Sequence, residues 1–294
     1  MKLAIQGARG SFSHKAALGF VEQLELPASD LDLVMCRTFE DVFAQLVTGS
    51  AEFAAIPLEN SSVGTIVANY DLLWRNQVSM VSEIYVDVQH NLLGLDGSTV
   101  ETLSEIYSHT VALDQCKKFL ASVPQARAIV FWDTGGSAFH VKEQGDKSIA
   151  AIASDLAATE AGLKILKRNV EDYAGNRTRF GIILPSDSAG NGDLTKAKAW
   201  DLFQKLETYK LSCVVELAHE PGSLSRLLSS LTDCFVNLTK IESRPIPEAP
   251  WHYRFFLDMQ LKPENESCVL ASLQKLTSFR KILGRYPMSS PYRE

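Results

Sequence analysis

The sequence has no positive charge to spare. Its 294 residues carry 29 Lys and Arg against 35 Asp and Glu, a formal net charge of -6. No basic stripe offsets that balance, which argues against a nucleic-acid partner. An anionic ligand would have to be held by local donors, because the field of the whole chain does not attract it. Apolar runs are short as well. None approaches the roughly 20 residues that a membrane span needs, and the opening MKLAIQGARG is too brief for a signal peptide. No membrane association is expected.

Cysteine is scarce and unpatterned. Cys36, Cys116, Cys213, Cys234 and Cys268 are odd in number and widely spaced, with no CxxC pair. This fits reduced thiols in a cytoplasmic protein better than a disulfide framework. The six histidines show no HxxxH or HExxH spacing, so no metal is expected. Internal repeats and low-complexity tracts are lacking, and no Ser/His/Asp arrangement can be assigned from spacing.

What is present is an ordinary globular composition, 46% hydrophobic and 22% charged, over a length suited to two or three domains. Strand-like and helix-like segments alternate from KLAIQ and HKAALGFVEQL onward, which predicts a largely parallel sheet covered on both faces. VSMVSEIYVDVQHNLLGL reads as a crossover into a second lobe. SDSAGNGD, residues 186–193, is a break in composition and reads as a linker. From Lys210 the pattern becomes β-α-β-β-α-β, the ferredoxin-like arrangement.

Three turns share one chemistry. GARGSFS holds Gly7, Gly10, Ser11 and Ser13, ENSSVG holds Asn60, Ser61 and Ser62, and DTGGSA holds Thr134, Gly135, Gly136 and Ser137. Each lies between a strand and a helix. Free N–H groups and the helix dipole favour an anion there, and ligands of open parallel sheets bind at such strand ends. The bland alternative is that each is an ordinary helix cap. A fourth feature is Thr178, set between Arg177 and Arg179 at the mouth of the apolar run FGIILP. A hydroxyl beside a guanidinium fork suits a carboxylate-bearing ligand. The alternative is a strand start with solvated arginines. His109 and Cys116 read as a structural histidine and a packing thiol.

Taken together, and in order along nearly the whole chain, these segments resemble the prephenate dehydratase family. The resemblance rests on GARGSFSHKAA, PLENSSVG, SHTVALDQCKKFL and NRTRF, and on PGSLSRLL and NLTKIESRP, which are similar to motifs of the ACT regulatory domain. It implies an α/β fold: a bilobal, periplasmic-binding-protein-like catalytic domain over 1–185, with lobes of about 1–76 plus 165–185 and 77–164. A linker and connector helix over 186–209 and a ferredoxin-like ACT domain over 210–288 would follow. The implied reaction converts prephenate to phenylpyruvate with loss of carbon dioxide and water, and needs no cofactor. Carried over by position, Thr178 would assist departure of the hydroxyl, with Asn60, Ser108 and Gln115 orienting the substrate. Arg179 would clamp a carboxylate. Ser11, Ser13, Ser61, Thr134, Ser137 and Phe180 would line the substrate site. In the ACT unit, Gly222, Ser223 and Leu224 would face Glu242, Ser243, Arg244 and Pro245 around an inhibitory phenylalanine, in a homodimer or homotetramer.

The sequence departs from the family at Thr110 and Val111, which replace Pro and Gln and loosen the expected placement of Ser108. It departs again at Ser223, which replaces Ala, and in the DTGGSA turn, where Ser-Thr is commoner. Two alternatives stay open: arogenate as the substrate, and a non-catalytic amino-acid sensor.

Overall fold

The structure is a computed structural model that describes residues 1–186 and 207–289. The expected linker and connector, 186–209, falls almost wholly outside the described residues. Contacts divide the chain into two compact units, Met1–Ile66 with Ile84–Phe180, and Val67–Glu83 with Gly181–Glu294.

The first unit contains two sheets. β1 (Lys2–Gln6) is central to the first. It pairs in parallel with β2 (Asp32–Cys36) on one side and β3 (Phe53–Asn60) on the other. The start of β11 (Arg177–Pro185) lies beside β3, and the short β4 (Gly64–Thr65) folds back on the end of β3. α1 (Phe12–Gln23) and α2 (Phe39–Val47) cover this sheet. Their caps explain where they begin. Ser11 accepts from the His14 N–H, and Thr38 and Asp41 form a reciprocal capping box. The faces they bury carry Phe20 and Val21, and Val42, Phe43 and Leu46. The edge-to-face contact of Phe20 with Phe53 locks α1 onto β3.

The second sheet has the order β10-β6-β9-β7-β8. β7 (Glu105–Ser108), β8 (Arg127–Val130) and β9 (Ile149–Ala153) are mutually parallel, and β6 (Asn91–Gly94) and β10 (Lys164–Lys167) add antiparallel pairs. β9 is wholly buried and built from Ala and Ile. These side chains leave room for α6 (Thr134–Gln144) and α7 (Asp155–Ala161) to pack closely. After Ser108 the chain forms two short helices, α4 (Thr110–Asp114) and α5 (Lys117–Ala121), interrupted at Gln115 and Cys116.

The second unit contains α3 (Val67–Arg75), the first residues of β5 (Val78–Asp87), and a β-α-β-β-α-β run. That run is β12 (Tyr209–Glu216), α8 (Ser223–Asp233), β13 (Asn237–Ile246), β14 (Ala249–Leu261), α9 (Glu266–Leu276) and β15 (Phe279–Tyr286). Its sheet order, β13-β14-β12-β15 with antiparallel neighbours, is the ferredoxin-like one. Leu227 and Leu231 of α8 and Val269 and Leu273 of α9 pack on Leu211, Cys213, Val215, Leu257 and Met259. Polar contacts tie Val67–Glu83 into this unit. Lys281 donates to the carbonyls of Leu73, Trp74 and Asn76, Arg244 pairs with Asp71 at 2.9 Å, and buried Glu83 meets Lys210 at 2.8 Å. The composition break at 186–193 therefore does not coincide with the boundary drawn by contacts.

One expectation is overturned. Cys234, capping α8, and Cys268, in α9, form a disulfide, while Cys36, Cys116 and Cys213 are free and buried. The partners lie 34 residues apart in sequence and meet because the two helices pack side by side. No local spacing pattern encodes that meeting. Among the described residues, no helix is long and apolar enough to cross a membrane.

Candidate active site

The carboxyl ends of the parallel strands of the first unit surround a cavity of about 440 Å³, within the usual range for small-molecule sites. Segments after β1 supply Ser11 and Ser13, and the end of β3 supplies Asn60. The start of β11 supplies Thr178 and Phe180. Segments after β7 and β8 supply His109, Gln115, Asp133 and Thr134. Apolar walls come from Phe12, Phe39, Val63, Ile66, Val88 and Trp132.

Asn60 and Thr178 form the centre of this arrangement. The Asn60 Oδ1 accepts from the N–H groups of Ser62 and Val63, at 2.9 and 3.0 Å. Those two bonds fix the orientation of the amide. Its Nδ2 then donates to Asn176 Oδ1 at 2.8 Å and to Thr178 Oγ1 at 2.9 Å. The Thr178 oxygen is thereby an acceptor toward the protein, which leaves its proton to donate into the cavity.

The arginines do not share that wall. Successive residues of a strand point to opposite faces. Thr178 and Phe180 line the cavity, and Arg177 and Arg179 do not. Arg177 forms an ion pair with Asp87, and Arg179 is buried with polar partners of its own. Among the described residues lining the cavity, none is Lys or Arg.

Three further residues from the sequence reading lie off the wall, each with its hydroxyl engaged elsewhere. Ser108 is 0% exposed and donates to the Ile152 carbonyl at 2.6 Å. Ser61 accepts from the Arg177 N–H at 2.9 Å and bonds Asn176. Ser137 donates to the Thr134 carbonyl at 2.6 Å. A strand-end or helix-start hydroxyl is as readily used by the backbone as by a ligand, and spacing alone does not separate the two uses.

The glycine-rich turns interlock with each other. A Cβ on Gly135 would lie 2.7 Å from the Arg9 carbonyl, and one on Gly7 would lie 2.8 Å from the Asp133 carboxylate. Asp133 is the N-cap of α6. Its Oδ2 accepts from the N–H groups of Ala8 and Gly136, at 3.0 and 2.8 Å. The protein thus places its own carboxyl group at that helix start. Burial pushes the Asp133 carboxyl above the ordinary carboxylate range, against the lowering effect of those N–H donors, of His109 and of the Thr134 N–H.

Sequence reasoning passed over His90 and Asp133, and set His109 aside as a structural residue. His90 is 2% exposed and lines the cavity. Its Nε2 lies 2.9 Å from Gln115 Oε1, and its Nδ1 has no hydrogen-bond partner among the described residues. Burial lowers its pKa, so the ring is neutral. His109 caps α4, its Nδ1 accepting from the Val111 N–H. The signal available in advance was position: each follows, or closely precedes, a strand end.

In the second unit, a cavity of about 150 Å³ is lined by His219, Ser223, Leu224, His252, Tyr253 and neighbours. Gly222 caps α8 in the left-handed region, at φ 82°. Glu242, Ser243, Arg244 and Pro245 lie along β13 and are not part of that lining.

The sequence model of one family, described as prephenate dehydratase, matches residues 3–188. The chain belongs to the prephenate dehydratase family. A prephenate dehydratase of Methanocaldococcus jannaschii is 31% identical over 288 residues, covering 95% of this chain and 96% of that protein. Among solved structures, prephenate dehydratase from Arthrobacter aurescens in complex with L-Phe superposes with a TM-score of 0.81. It is 25% identical and covers 98% of this chain and 90% of that one. GqqA, described as a novel type of quorum quenching acylase, matches with the same TM-score, at 30% identity and 98% coverage of both chains.

Proposed function

We propose that this member of the prephenate dehydratase family converts prephenate to phenylpyruvate, with Thr178 at the reacting end of the cavity. The observation that carries this reading is the Asn60–Thr178 pair, which leaves a buried hydroxyl with its proton free beside the cavity.

The substrate carries a carboxylate and a hydroxyl at opposite ends of its ring. Loss of both makes the ring aromatic, so the reaction is strongly driven. The protein's task is to orient the substrate and to stabilise the departing oxygen. Thr178 donates a hydrogen bond to that oxygen as negative charge develops on it. Asn60 holds the threonine so that the donation requires no reorganisation. Gln115, Ser11, Ser13 and Thr134 orient the carboxylates, and Phe180 bounds the ring. The clamp is made from neutral donors, without Arg179.

The ferredoxin-like unit acts as an ACT regulatory domain. Phenylalanine binds beside Ser223 and Leu224, lowers turnover by favouring a less active state, and does so in a homo-oligomer.

The test is direct. Purified protein is mixed with prephenate at neutral pH and phenylpyruvate absorbance is followed, with and without phenylalanine. Conversion above the uncatalysed rate, slowed by phenylalanine, is expected. A rate equal to the control ends the reading. Parallel arms with arogenate and with an acylated amine separate the two other activities that the resemblance and the GqqA likeness raise.

A further inference from the structure

Asp133 is the one carboxyl side chain among the described residues lining the cavity, and it is 7% exposed. Its Oδ2 accepts from the Ala8 and Gly136 N–H groups, and the Thr134 N–H also bonds the carboxyl. Close approach of the carboxyl to the β1–α1 turn depends on Gly7, where a Cβ would lie 2.8 Å from Oδ1. A serine or asparagine would cap α6 equally well. The cap therefore does not account for placing an acid on a wall that lacks Lys and Arg.

We propose that the Asp133 carboxyl carries the proton that leaves with the substrate hydroxyl. This rests on the reading given under Proposed function. A dianionic substrate in this cavity repels an ionised Asp133, so binding favours its protonated form. In the reaction the bond to the ring carboxylate breaks, and its electron pair completes the aromatic ring. The carbon–oxygen bond breaks with its pair on oxygen. That oxygen takes the Asp133 proton and leaves as water, and the carboxylate regains a proton from solvent. Thr178 positions the oxygen, and Asp133 supplies the proton that a threonine gives up too reluctantly at neutral pH.

Other charged groups near Asp133 can be named. The β7–α4 segment brings His109, whose charge acts on the carboxyl. The β1–α1 turn brings Arg9, 3.9 Å from Glu160. The α6 helix itself continues to His140 and Glu143.

The experiment is the pH dependence of kcat and KM for prephenate in the full chain, its Asp133→Asn variant and its Asp133→Ser variant, with melting curves as a check on folding. In the unsubstituted protein kcat falls on the alkaline side as Asp133 loses its proton. Both variants lose about 10²-fold in kcat without a rise in KM, and both lose the alkaline limb. If one variant does not fold, the other decides. Unchanged kcat in a folded variant, a lowered kcat with the alkaline limb intact, or no such limb in the unsubstituted protein would each overturn the proposal. An unsubstituted protein that does not convert prephenate overturns instead the reading on which the proposal rests.

Discussion

The Nδ2 of Asn60 donates to the Oγ1 of Thr178 at 2.9 Å, across 118 residues of sequence, and the same amide is pinned by the Ser62 and Val63 N–H groups. The geometry assigns each hydrogen-bonding role, so it predicts an order of damage. Thr178→Val keeps the shape and removes the donor, and is expected to lower kcat by about 10²-fold or more. Thr178→Ser keeps the donor and retains more activity. Asn60→Asp turns an acceptor toward Thr178, captures its proton, and falls near Thr178→Val. Steady-state kinetics on the three folded variants check this order. Activity of Thr178→Val equal to that of the parent would refute it.

Gly10 predicts a stability effect. Its φ is 80°, and an added Cβ would lie 2.4 Å from the Cα of Ala157 in the first turn of α7. The obstacle is backbone, which cannot swing aside. Gly10→Ala is expected to destabilise by about 1–3 kcal/mol or more, combining left-handed strain with the clash. Gly145, at φ 65° with open space around its Cβ position, serves as the control. Gly145→Ala carries the strain alone and is expected to be milder. Urea unfolding of both variants gives the comparison.

Two buried histidines set an acid limit. His14, whose Nδ1 accepts from the Gly10 N–H at 3.0 Å, and His90 are both lowered from 6.5 chiefly by burial. A group lowered on folding stabilises fully above its unfolded pKa, and that stability is lost as pH falls toward its folded pKa. The melting temperature is expected to drop as pH falls below about 6.5, before most carboxylates titrate. His14→Gln with His90→Gln should flatten the decline in that window. An unchanged slope in the double variant would argue against neutral burial of these rings.

The disulfide predicts a thiol count. In unreduced, denatured protein three thiols are expected to titrate, those of Cys36, Cys116 and Cys213. Cys268→Ser, or full reduction, should lower the unfolding free energy of the second unit by roughly 3–4 kcal/mol, from the loop entropy of a cross-link of this span. Five titrating thiols would show that the bond does not form in solution.

The sequence was legible where periodicity and caps speak for themselves. KLAIQ, the helix capped by Ser11 and the ferredoxin-like run after Lys210 all followed from local pattern. The wall on which each side chain falls was not legible. β11 is buried from Thr178 to Leu184 with no alternation of polarity, so its sequence carries no mark of which face meets the cavity. Arg179 therefore looked like a partner of Thr178 and stands on the other face. Ser108 and Ser137 looked like ligand donors because a serine bonding a backbone carbonyl and one facing a ligand are written identically.

By itself the sequence determined the elements, their order, the family and the small set of segments from which a site had to be built, because propensity, capping and motif spacing act over a few residues. The tertiary structure alone decided that Asn60 donates to Thr178 on the cavity wall, that Asp133 occupies the helix start where an external anion was expected, and that Cys234 bonds Cys268. Each of these depends on distances of a few ångströms between residues far apart in the chain, and such distances exist only after the sheets and helices have packed.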